Sequence, residues 1–130
     1  MSTLLPLGKF EGELQHEYRG TKDLAEKLRE FIKDNRDNEA IKGCHFRVRA
    51  TNRDAIDVFL MEAPWDPYNP HATSSRDRYS EEYERLKKFL GDFLTKYGYD
   101  RSDVMSDYFD QSFYAELMIG AYDKEFVINK

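Results

Sequence analysis

Cysteine is nearly missing from this chain: of 130 residues, one, Cys44, carries a thiol. A single cysteine closes no internal disulfide and builds no thiolate cage by itself, so neither a covalent staple nor a cysteine-held cofactor is expected. Long apolar runs are missing as well. No stretch approaches the roughly 18 residues that a membrane-spanning helix needs, and residues 1–9 lack the basic start and apolar stretch of a secretory signal. The expectation is a cytoplasmic protein without membrane contact. Positive charge is also in short supply, with 20 Lys+Arg against 25 Asp+Glu and a net charge of -5. Sequence-independent DNA binding relies on Lys and Arg displacing counterions from several phosphates, and this balance argues against it. Recognisable catalytic motifs are absent too. The chain nevertheless has 9 Tyr, 9 Phe and 1 Trp, and each of these rings buries about 150–250 Å² when turned inward. That aromatic content excludes global disorder, and the length suits one domain spanning 1–130.

The charge is unevenly spread. Residues 1–97 hold 17 Lys+Arg against 18 Asp+Glu, whereas residues 98–130 hold 3 against 7. Residues 1–20 mix apolar and charged side chains without a period and are expected to be irregular, with at most a short edge strand. From Thr21, a plausible N-cap, Leu24, Leu28, Phe31 and Ile32 recur at helical spacing to about residue 35. Residues 44–50 alternate, with Cys44, Phe46, Val48 and Ala50 on one side and His45, Arg47 and Arg49 on the other. Turn residues at 51–54 lead into a second strand over 55–61, which predicts an antiparallel hairpin. Residues 62–79 contain Pro64, Pro67 and Pro70 with Trp65, Tyr68 and His71, and are expected to form a long loop and a contact surface. Ser80 caps a second helix with an apolar stripe of Tyr83, Leu86, Leu90 and Phe93, which Gly98 ends. Strands over 113–119 and 125–129 complete the order α-β-β-α-β-β. The predicted architecture is α+β, an antiparallel sheet with two helices on one face.

Three constellations could carry chemistry. Asp100, Asp103, Asp107 and Asp110 form a spaced acidic set flanked by Tyr99 and interrupted by Tyr108. It lacks the central Gly and terminal Glu of a calcium loop, so no metal is expected. It reads either as a solvated acidic turn or as a surface that imitates phosphate and enters an Arg-rich groove of another macromolecule. Arg47 and Arg49, with Arg53 at the turn, could instead hold a phosphate backbone, against which stands cross-strand pairing with Asp57 and Glu62. His16, His45 and His71 are scattered, and Cys44 and His45 point to opposite faces of a strand, so no nucleophile pair is expected there. No cofactor is expected, and no enzyme.

Residues 97–114, Tyr-Gly-Tyr-Asp-Arg-Ser-Asp-Val-Met-Ser-Asp-Tyr-Phe-Asp-Gln-Ser-Phe-Tyr, resemble a signature of the large polyvalent protein associated domains of phages and conjugative elements. In that pattern a helix leads into a Tyr-Asp-x-Ser-Asp turn, an Asp-Tyr-Phe-Asp run and an aromatic strand. The resemblance implies a mobile-element protein, in a class that includes accessory domains of DNA-transfer polyproteins and free-standing inhibitors of host defence such as anti-CRISPR proteins. It implies no catalysis. The sequence therefore predicts a non-enzymatic binding protein that inhibits a nucleic-acid-processing enzyme of the host. Asp103, Asp107, Tyr108 and Asp110 are its expected contacts, with Trp65 and Tyr68 as aromatic anchors. The alternative is a nucleic-acid-binding accessory domain using Arg47, Arg49 and Arg53.

Overall fold

A computed structural model describes residues 2–6, 8–51, 54–74, 77–102 and 111–129. The segment 1–20, expected to be irregular, contributes two short strands, β1 (Ser2–Thr3) and β2 (Phe10–Glu11), and a 3-10 turn at Gln15–Glu17. Two-residue strands leave no periodic trace in a sequence; they exist here because distant partners hold them. α1 (Thr21–Asp34) buries Leu24, Ala25 and Leu28. Its N-cap is Gly20, at φ 102°, and Thr21 is the first helical residue, its hydroxyl directed at the Thr51 carbonyl, 3.5 Å away. β3 (His45–Thr51) and β4 (Ala55–Ala63) form the expected antiparallel hairpin, with β4 running two residues further than its alternation predicts.

The chain then crosses the molecule through α2 (Glu81–Thr95). The Ser80 hydroxyl caps it by accepting from the Tyr83 N–H at 3.3 Å, and Glu81, Glu82 and Glu84 occupy the positive helix end. β5 (Tyr99–Asp100) pairs with β2, β6 (Tyr114–Ile119) joins the main sheet, and β7 (Val127–Ile128) extends it. The main sheet runs β1-β6-β4-β3, with β7 alongside the end of β4.

The expectation of an antiparallel sheet is corrected here. β3–β4 and β1–β6 are antiparallel, but β4–β6 and β4–β7 are parallel. The physical reason is connection length. A strand returning after a helix has travelled the length of the sheet and re-enters in its original direction, whereas an antiparallel neighbour needs only a tight turn.

Both helices pack on one face. Leu24 and Leu28 from α1 and Tyr83, Leu86, Leu90 and Leu94 from α2 share a core cluster with Ile56, Val58, Leu60, Ala115 and Leu117 of the sheet. Each such leucine, isoleucine or valine contributes about 1.5–3 kcal/mol through burial. Phe31 stacks on Phe89 and Phe93, with ring centroids at 5.1 and 4.3 Å, which locks the helices together. At Gly91 a Cβ atom would lie 2.5 Å from the Leu4 carbonyl oxygen, so only glycine admits the N-terminal segment against α2.

Candidate functional site

Alternation along the strands sends the other side chains to the opposite face, away from α1 and α2. There β3 presents Arg47 and Arg49, β4 presents Asp57 and Phe59, and β6 presents Met118. Two connecting segments border this face. After β6, Gly120 adopts φ 75°, donates its N–H to the Leu60 carbonyl at 2.8 Å and opens a tight turn closed by the Ala121–Lys124 bridge. The turn reaches across the sheet, where the Asp123 carboxylate meets Arg47 Nη1 at 2.7 Å. Tyr122, at its tip, is fully exposed.

The opposite border is the loop over 64–79. It closes on itself through the Tyr68–Tyr79 bridge and the bond from Asn69 N–H to the Arg78 carbonyl at 2.8 Å. Tyr68, 49% exposed, stacks on Tyr79 at 6.1 Å, and Tyr79 stacks on Tyr83 at 4.4 Å. Tyr83 is fully buried and its hydroxyl donates to Ser2 Oγ at 3.0 Å, anchoring the tyrosine stack in the core. Burial raises the Tyr83 phenol to about 12, so it stays protonated as a donor.

Between these borders lies a groove of about 720 Å³ with Phe59 at its floor. Its charges are matched. Arg49 Nη2 meets Asp57 at 2.9 Å and its guanidinium lies over the Phe59 ring at 5.6 Å, while Arg47 holds Asp123. The hydrogen bond from Arg47 keeps the Asp123 carboxyl below the usual carboxylate range. The cross-strand partner weighed for the arginines is thus realised at Asp57, whereas Glu62 stands opposite His45. A phosphate arriving here would have to displace two carboxylates. Arg53 lies outside the described residues.

The expected acidic contacts Asp103, Asp107, Tyr108 and Asp110 also lie outside the described residues. Asp100, the first of the acidic set, sits in β5, and its carboxylate accepts from the Ser102 N–H at 2.9 Å, a bond that lowers its pKa. Arg101 joins this strand to the N-terminal segment, pairing with Glu11 at 2.6 Å, donating to Gln15 and lying over the Tyr99 ring at 4.1 Å.

Of the two expected aromatic anchors, Tyr68 lines the groove, while Trp65 is half-buried against the core. Cys44 is half-buried, and burial pushes its thiol up to about 12, far from a reactive thiolate. His16, His45 and His71 sit in a 3-10 turn, at the start of β3 and in the 64–79 loop respectively. Among the described residues no group of three or more His, Cys, Asp or Glu side chains converges as a metal site. Sequence reasoning missed Tyr79, Met118, Tyr122 and Asp123 as groove residues. Alternation in β4 signals that Phe59 faces away from the core, but nothing local shows that the turn over 120–124 folds back across β4 to Arg47. Compared with models of known protein families, with curated proteins and with solved structures, the chain matches none of them.

Proposed function

We propose that this chain is a non-catalytic binding protein that acts by occupying a site on another protein, with the open face of its sheet as the contact surface. The observation that carries this reading is the groove itself: Tyr68, Tyr79, Tyr122, Met118 and two arginines around a Phe59 floor. Tyr, Met and Arg are the residue types enriched where proteins meet, and Tyr and Arg dominate binding hot spots. The matched charges support a protein partner over a nucleic acid, because both groove arginines already hold carboxylates. The mobile-element origin, and a host defence nuclease as the partner, rest on the resemblance of residues 97–114. In that reading the aspartates of the 103–110 run add a second, electrostatic contact.

The test is inhibition measured directly. Purified protein is titrated into CRISPR effector and restriction nucleases of its host, beside a Tyr68→Ser, Tyr122→Ser double variant. Inhibition by the wild type, reduced on the order of thirty-fold in the variant, is the expected result, since loss of two contact tyrosines at about 1 kcal/mol each amounts to about 2 kcal/mol. Equal inhibition by both proteins removes the groove from the reading. A gel shift with single- or double-stranded DNA that weakens steeply with salt supports the nucleic-acid alternative instead.

A further inference from the structure

The open side of the sheet continues past the groove along β6. Ala115 and Leu117 turn into the core, so Tyr114, Glu116 and Met118 point the other way, each about 7 Å along the strand from the next. Met118 lines the groove, Tyr114 stands at the far end with 54% of its surface exposed, and Glu116 lies between them. The strand register sets Asp57 on one flank of Glu116 and Thr3 on the other. Arg49 holds Asp57 at 2.9 Å, whereas among the described residues no cation and no hydrogen-bond donor meets the Glu116 carboxylate. Two neighbouring carboxylates thus face a single arginine, and like charges side by side favour a further cation.

The rest of the fold shows what kind of cation suits such a place. On β4, Asp57 and Phe59 lie two residues apart on this same side, and Arg49 pairs with the first while lying over the ring of the second at 5.6 Å. Between β2 and β5, Arg101 pairs with Glu11 at 2.6 Å and lies over the ring of Tyr99, the residue opposite Glu11, at 4.1 Å. In both places a carboxylate beside an aromatic ring takes an arginine. A guanidinium suits both halves, because its planar fork matches a carboxylate and its face stacks on a ring. On β6, Glu116 and Tyr114 repeat the two-residue spacing of Asp57 and Phe59. Where β4 has Arg49 on the neighbouring strand, however, β6 has β1, which is two residues long and sets Thr3 opposite Glu116.

Resting on the reading of this face as a protein-binding surface, we propose that Glu116 and Tyr114 receive an arginine of the partner protein, its guanidinium paired with the Glu116 carboxylate and lying over the Tyr114 ring. Two residues further on, the partner presents an apolar side chain to Met118 and Phe59, since two residues of extended chain span the same distance of about 7 Å as Glu116 to Met118. A nucleic acid is a poor occupant, because its phosphates would meet Glu116 and Asp57 with like charge.

The test titrates an acetylated, amidated peptide of sequence Ser-Arg-Ser-Leu-Ser into the full chain and follows it by NMR. Saturable shifts should centre on Tyr114, Glu116 and Met118. Glu116→Gln should weaken binding about five-fold, the worth of one exposed charge pair, and Tyr114→Ser about three-fold, both with an unchanged thermal midpoint. Replacing the peptide's arginine by its neutral isostere citrulline should cost the wild type the same five-fold and cost Glu116→Gln nothing further, a coupling that a merely altered surface does not produce. Absence of binding by the folded wild type overturns the proposal. So does an equal response to Ser-Glu-Ser-Leu-Ser, equal binding by Glu116→Gln, or a twenty-nucleotide single strand that shifts the same amides. Shifts of those amides on raising the protein concentration alone overturn it as well, in favour of a second copy. The peptide decides the arginine site and the nuclease titration decides the groove, so the two readings fail separately.

Discussion

The two faces of β4 set the same strand in two unlike environments. Toward the helices, Ile56, Val58 and Leu60 have no solvent exposure and belong to the apolar core cluster. Toward the open side, Asp57 and Phe59 sit among ion pairs and tyrosines, and Phe59 keeps 8% exposure under side chains that solvent reaches. The difference separates tasks. Burial on the helix side supplies folding free energy, while the open side is built from contacts that water and a partner can both contest.

The strongest way to break this comparison is to empty the helix side. Leu117→Ala should destabilise the protein by about 2–5 kcal/mol in chemical denaturation, because Leu117 is fully buried in the core cluster. Its neighbour Glu116, on the opposite face, should tolerate Ala with a change below about 0.5 kcal/mol. If both substitutions cost the same, the division of labour between the faces is wrong.

Gly91→Ala comes next, with a loss of about 1–3 kcal/mol, since the new methyl group would crowd the Leu4 carbonyl at 2.5 Å. Exchange protection should fall first at the Leu4 N–H, which bonds the Ala115 carbonyl at 2.9 Å. A third, smaller effect sharpens the link between the core and the tyrosine stack. Tyr83→Phe leaves buried Ser2 without its 3.0 Å donor and should cost about 1 kcal/mol. Adding Ser2→Ala should recover part of that loss, a double-mutant cycle that denaturation midpoints can read.

The smallest effect belongs to the open face. The folded protein holds the Asp123 carboxyl below its ordinary range, so the stabilisation from its contact with Arg47 is present above the unfolded carboxylate pKa. It is lost as pH falls through the lower folded value. An NMR titration of the Asp123 side chain should therefore give a depressed midpoint that rises toward the ordinary carboxylate range in Arg47→Ala. Because the pair is exposed, global stability should barely register the change.

Much of this architecture was legible in the sequence. The helical spacing of Leu24, Leu28 and Phe31, the Ser80 cap with its following glutamates, and the alternation through Phe46 and Val48 each encode an element within a few consecutive residues. What escaped is encoded over distance. Ser2 becomes a strand residue only because Leu117 lies opposite it, and the parallel pairing of Val58 with Leu117 depends on where a 15-residue helix delivers the chain. The groove was half visible for the same reason. Tyr68 stood out in a proline-bearing loop, but its partnership with Phe59 and with the 120–124 turn arises from folding rather than from neighbouring letters. The pairing of Arg49 with Asp57 was among the alternatives weighed from the hairpin register, and it is the one the structure realises.

The position of β4 between its neighbours also orders events during synthesis. Its hairpin with β3 can close as soon as both have left the ribosome, yet its other flank waits for β6 and β7, which emerge after α2. β1, made before β6, cannot form its antiparallel pair until β6 arrives. The nascent chain therefore carries a half-made sheet until β6 and β7 have been made, and slow, late consolidation of the fold is the cost of this topology.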